Sequence, residues 1–261
     1  MKFVLFCLLM PLAWSQDRSC DRLEAEAEAQ VTSIREAKDS LGGFETLAAL
    51  ALAGTRVCPQ SARLWYLASR AGEVMKDATG SDVFVGSGGL QKVLGEARAR
   101  APRSAAVVTV AARLEGSTAL ARLALELDPA YQPARCALAE LLARDGAIPE
   151  ALRIAVVSHP SSQREVRHLT RARVLLAAKR PTEALAETKL AMREAIKESD
   201  ELTPGFEFQR DQQEVLGFVQ LAMKNTMEAE KALQVAAGLG SLPAQRYFAH
   251  RRSAAETGKS K

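Results

Sequence analysis

A glutamate-alanine pair recurs along the C-terminal half of the chain: Glu150-Ala151, Glu183-Ala184 and Glu228-Ala229. The intervals are 33 and 45 residues. Each pair follows a polar break (Asp145-Gly146, Lys179-Arg180, Lys224-Asn225) and leads into alanine- and leucine-rich sequence. Self-similarity at a period of about 34 residues marks helix-turn-helix units that cannot bury an apolar face alone and must stack on one another. The chain is therefore expected to be an all-α solenoid. Such a fold presents surfaces and brings no chemistry of its own.

The units align on that alanine. Leu138, Ala139 and Leu142 form the apolar stripe of a first helix, Gly146 makes the turn, and Ala151 and Ala155 line the second helix. The matching positions are Arg171, Ala172, Leu175, Lys179, Ala184 and Thr188, then Leu216, Gly217, Gln220, Lys224, Ala229 and Leu233. The spacing i, i+1, i+4 is one face of an α-helix. Upstream the phrase is looser. It predicts helices over 21–41 and 44–57 broken by Gly42-Gly43, then 61–75, a glycine-rich loop over 77–89, and helices over 90–100, 105–114 and 117–127. Gly240 to Gln245 starts one last helix, which would cap the stack with a polar outer face.

This pattern resembles the tetratricopeptide repeat family, most clearly over residues 130–237. Ala139, Ala172 and Gly217 match the family's small first-helix position, and Ala151, Ala184 and Ala229 its second-helix alanine. Pro129 and Pro160 fall near the proline that ends a unit. The family's large aromatics are mostly missing, and Lys179 and Lys224 stand where it has a turn glycine. The resemblance implies a right-handed solenoid of about five or six helix pairs with a C-terminal capping helix.

The N-terminus is of another kind. Lys2, an apolar run from Phe3 to Leu12 and then Ala13-Trp14-Ser15 read as a signal peptide over 1–15, cut after Ser15. The run is too short to span a bilayer, which takes about 20 apolar residues. The solenoid would occupy 16–250 and a flexible basic tail 251–261. Export, to a periplasm or the medium, is the expectation, and a single asparagine among many alanines and arginines suggests a GC-rich bacterial source. Cleavage leaves Cys20, Cys58 and Cys136, an odd number, hence one bridge and a leftover thiol in an oxidising compartment. In an antiparallel pair the start of the first helix lies beside the end of the second. Cys20 stands just before the first helix and Cys58 just after the second, so these two are expected to pair, leaving Cys136 free.

Charge and motifs exclude several functions. Thirty-five basic and thirty-one acidic side chains nearly cancel, at a net +4. The arginine clusters carry no glycine-aromatic interleaving of the kind a nucleic-acid surface needs. His159, His168 and His250 make no zinc-protease spacing, and no cysteine pair has metal or redox spacing. Val85 to Gly89 lacks the leading glycine of a nucleophile elbow, and 80–89 lacks a phosphate-loop lysine. Alternation with alanine spreads Glu24, Glu26 and Glu28 around a helix as a solvated face. No cofactor or metal is implied.

What remains is a groove. First helices line the concave side of a curved stack, and arginines or aromatics there anchor partners. Candidates one position beyond the packing stripe include Trp65, Arg144, Arg173 and Phe218, with Cys136, Glu140, Leu169 and Glu214 beside them. The expectation is a non-enzymatic scaffold that binds a protein or peptide. Its alternatives are a structural part of a bacterial envelope assembly, or an enzyme with its site in the 77–89 loop.

Overall fold

The computed structural model describes residues 19–34, 41–156, 164–198 and 206–258. All regular structure in them is helical: α1 (19–34), α2 (Leu41–Val57), α3 (Ala62–Thr79), α4 (Leu90–Arg100), α5 (Ala105–Glu115), α6 (Thr118–Leu127), α7 (Gln132–Arg144), α8 (Ile148–Val156), α9 (Arg164–Ala177), α10 (Pro181–Glu198), α11 (Phe206–Ala222), α12 (Thr226–Gly238) and α13 (Leu242–Gly258). Consecutive helices pack as antiparallel hairpins, and each hairpin stacks on the next. The expected all-α solenoid is the observed fold.

One turn is used repeatedly. Gly116, Gly146, Lys179 and Lys224 have φ of 66°, 82°, 58° and 64°, the left-handed conformation that ends a helix. In each case the next residue's N–H reaches back five residues: Ser117 to Ala112, Ala147 to Leu142, Arg180 to Leu175 and Asn225 to Gln220, at 2.8–2.9 Å. The two lysines thus replace glycine in sequence while the backbone keeps the glycine conformation. Five residues beyond each turn stands an alanine with 0% exposure: Ala121, Ala151, Ala184 and Ala229. Ala121 extends the repeat one unit upstream of the Glu-Ala phrase. The first-helix small position is equally tight, since a Cβ at Gly217 would lie 2.5 Å from Leu233 Cγ and 3.2 Å from its backbone nitrogen.

The N-terminal helices depart from the sequence expectation in three ways. Gly42 and Gly43 lie in the first turn of α2 rather than in the break. A Cβ at Gly43 would sit 2.7 Å from Ile34 Cγ1, so this glycine lets the end of α1 approach. All three glutamates on α1 have partners: Ser61, the N-cap of α3, donates to Glu24 at 2.5 Å, while the more exposed Glu28 and Glu26 pair with Arg63 and Arg22. Finally, α3 continues to Thr79, so the loop starts at Gly80 and holds one short 3-10 turn, Val85–Ser87.

At the other end α13 runs to Gly258, so residues 251–258 of the expected tail are helical. The signal-peptide segment, Pro160 and residues 199–205 between α10 and α11 fall outside the described residues. No helix in the described residues is long and apolar enough to cross a membrane.

Candidate functional site

Cys20 and Cys58 form the disulfide, with Cα atoms 5.7 Å apart. Cys136 is the free cysteine, buried in α7. Burial pushes its thiol up, and Gln132 Nε2 donates to its sulfur at 3.4 Å. This packing makes it an inert core group.

The first helices of successive hairpins share a charged layer. Arg173, midway along α9, reaches Glu140 of α7 at 3.0 Å and Asp211 and Glu214 of α11 at 3.3 and 3.9 Å. Burial opposes charge on Arg173, but Glu140, Asp211 and Glu214 outweigh it and hold the guanidinium protonated. The same pairing, with Arg210 added, brings Asp211 below the usual carboxylate range despite its burial. Glu214 goes the other way because burial dominates there, although it also accepts a hydrogen bond from Ser241 at 2.7 Å. Three consecutive first helices are thereby cross-linked by one arginine.

Toward the N-terminal ends of α3, α5, α7 and α9 the layer opens into a half-enclosed cavity of about 250 Å³. Tyr66, Val110 and Tyr131 form much of its wall, and Arg70, Glu73 and Arg113 its polar side. Glu73 is only 3% exposed. It pairs with Arg70 at 2.7 Å and Arg113 at 3.7 Å, so one sunken carboxylate is shared by two half-exposed guanidiniums. Burial raises the Tyr131 hydroxyl, which neighbours that of Tyr66.

The four partner-binding candidates do not converge. Trp65 is a wedge between hairpins: its indole N–H donates to Pro59 O at 2.9 Å and Arg100 lies 4.8 Å over its ring. Tyr66, one residue on, is the one that lines the cavity. Phe218 packs against Leu233, Ala236 and Ala244 under α13. Arg144, more than half exposed, donates to Gly116 O at 2.7 Å and ties one turn to the next. Arg173 alone joins the charged layer. The cavity residues escaped notice because the sequence phrase fixes which residues stack and leaves the helix rotation at α3 uncertain by one position.

The 80–89 loop is held by its own acid. Asp82 accepts from Phe84 N–H at 2.9 Å with one oxygen and from Leu90 N–H at 2.8 Å with the other. Phe84 is buried, and a Cβ at Gly72 would lie 2.5 Å from its ring. Among the described residues no group of three or more His, Cys, Asp or Glu is placed to hold a metal ion.

These features define an all-helical protein built from stacked helix hairpins. No protein-family model matches the sequence, and no curated protein matches it either. Among solved structures the fold is similar to the crystal structure of PilW, a widely conserved type IV pilus biogenesis factor. The TM-score is 0.53 at 16% identity, over 88% of this chain and 97% of that one. Identity at that level shows a shared fold.

Proposed function

We propose that this chain is an exported, non-catalytic scaffold of a bacterial envelope assembly, and that a protein partner docks on its inner face. The observation that carries the reading is the half-open cavity, where two tyrosines and two half-exposed arginines from consecutive first helices meet. Tyrosine and arginine are the residue types that dominate binding energy at protein interfaces. Support for the assembly role comes from the fold, which spans nearly the whole of a pilus biogenesis factor. Support for export comes from the disulfide, which persists in oxidising compartments. The internal pairing of Arg70, Arg113 and Arg173 with carboxylates leaves these inner arginines ill-suited to nucleic acid.

Capture from an envelope extract on the immobilised mature protein, read by mass spectrometry, tests this. Tyr66→Ala with Tyr131→Ala is expected to abolish capture, and Arg144→Ala to leave it intact. Equal capture by the tyrosine variant, with helix content unchanged, would remove the cavity from the reading. A stoichiometric multiprotein complex supports the assembly role; a single peptide ligand supports a plain groove binder. The native N-terminus is expected at Gln16, and an intact Met1 would end the export reading.

A further inference from the structure

Units of a solenoid contact their sequence neighbours. Here a contact also joins units far apart. The end of α3 lies against the α12–α13 turn: a Cβ at Gly240 would sit 3.6 Å from Ala78 Cβ, and one at Gly80 would sit 3.7 Å from Leu242 Cδ1. Ala78, Ser241 and Ala244 are buried. The stack has curved until α13 meets α3, and the charged layer and its cavity lie along the first helices of that curve.

The two kinds of contact around the curve differ in strength. Within it, α7, α9 and α11 share the Arg173 cluster and long apolar helix faces. At the meeting point the named contacts are short apolar ones between two turns carrying Gly80 and Gly240. Beside them the carboxyl of Asp77, next to Ala78, is pushed up by burial and by Glu73 against the weaker pull of Arg210 on α11, and Ser241 donates to Glu214. Helix α13 also has no later unit to brace it within the described residues. Little apolar area has to be exposed to part this seam, and hydrophobic stabilisation scales with area.

We propose that the α3–α13 seam is a gate: the curve is closed at rest and parts there to admit a partner segment to the inner face. A cavity of about 250 Å³ is smaller than the roughly 300–1,000 Å³ of ordinary ligand pockets. It holds an anchoring side chain, and the strand that carries such a side chain needs the open seam. The gate rests on the inner face being the binding face.

Spin labels at Lys76→Cys and Gln245→Cys, both exposed positions flanking the seam, read the separation directly in the full mature chain. Two distance populations are expected, the shorter dominant, with Asp77→Asn moving weight further toward the shorter because the charge that burial and Glu73 disfavour is gone. A single short distance in both proteins overturns the gate, and a single long one overturns the closed state. A second, independent variant is Ala78→Cys with Gly240→Cys, whose Cβ separation falls in the disulfide range of about 3.5–4.5 Å. After oxidation and unfolding, one titratable thiol indicates the cross-link and three indicate none. The cross-linked protein is expected to lose capture of the envelope partner. Capture lost in Tyr66→Ala but kept in the cross-linked protein sinks the gate and spares the cavity. Capture kept in Tyr66→Ala but lost on cross-linking does the reverse.

Discussion

The helices before Arg100 and those after Ser104 solve the same packing problem with different means. From α5 to α12 each hairpin uses one left-handed turn and one fully buried alanine, repeated with little change. Helices α1 to α4 do not repeat that phrase: Gly80 ends α3 in the same left-handed conformation, at φ 72°, but the chain then runs through the 80–89 loop before α4. They are joined by a disulfide, by polar pins from Ser61 to Glu24 and Arg63 to Glu28, and by the bulky wedges Trp65 and Phe84. An interior unit is braced on both sides, so small side chains and close approach suffice. A first unit is braced on one side only, and covalent and polar ties take the place of the missing neighbour.

Removing the tie tests that difference most severely. Cys20→Ser with Cys58→Ser opens a bridge of sequence separation 38, and chain entropy assigns such a loop roughly 3–4 kcal/mol. Hydrogen exchange is expected to quicken in α1 and α2 first, leaving α7 to α10 close to wild type. Equal loss of protection across all helices would mean that the two regions fold as one unit. Thiol titration of the unfolded, unreduced native protein is expected to find one thiol.

The next test reverses the comparison by crowding each region. Gly217→Ala and Gly72→Ala both place a Cβ 2.5 Å from a neighbour, Leu233 in one case and the Phe84 ring in the other. The obstacle at Gly217 includes the Leu233 backbone, whereas at Gly72 it is side chains, one of them carried on the 80–89 loop. Overpacking costs typically about 1–3 kcal/mol. Gly217→Ala is expected near the top of that range and Gly72→Ala near the bottom, by chemical denaturation. The opposite order would show that the repeat region yields more readily than the N-terminal one.

This contrast also explains what the sequence disclosed. The stack from Gln132 to Gly238 was legible because its small residues must recur wherever helices approach, and the disulfide because antiparallel pairing fixes which chain ends are adjacent. The start of the loop was misplaced: Asp77 and Gly80 read as turn residues, but α3 gains packing against α2 and the α12–α13 turn that carries it to Thr79. The cavity was not legible. Tyr66, Arg113 and Tyr131 come from three helices, and their meeting depends on how the stack curves, which no local pattern records. The Arg173 candidate was found by its place on a first helix, yet its three carboxylate partners come from both flanking hairpins.

That charged layer separates the regions by pH. Asp211 has a lowered folded pKa, so the stability it contributes is present above its unfolded value near 3.8 and is lost as pH falls through the folded value. Glu214 is raised by burial, so its cost is present at neutral pH and vanishes below its unfolded value near 4.5. Asp211→Asn is expected to lose roughly 1.5–3 kcal/mol at pH 7, as for a hydrogen bond to a charged group, with the loss shrinking below about pH 4. Glu214→Gln is expected to leave the Tm at pH 7 unchanged or higher, and to lose that advantage in acid. Melts across pH 3–7 check both signs, and identical profiles for the two variants would refute the assignment.

The smallest effect lies in the turns themselves. Lys179 and Lys224 hold φ of 58° and 64° where Gly116 and Gly146 hold 66° and 82°. Cβ crowding makes this conformation unfavourable by roughly 1–2 kcal/mol for an ordinary L-residue, while glycine adopts it freely but gives up more chain entropy on folding. The two terms nearly offset, so Lys179→Gly and Lys224→Gly are each expected to stabilise by under about 1 kcal/mol. Gly146→Ala is the mirror experiment. Nothing lies within 4 Å of a Cβ there, so its cost is backbone strain alone, about 1 kcal/mol. Agreement in size and opposition in sign among these three substitutions would show that all the hairpins share one turn with one energy. A destabilising Lys→Gly change would instead mean that the lysine side chains hold their turns through contacts of their own, and that the repeat is less uniform than its backbone.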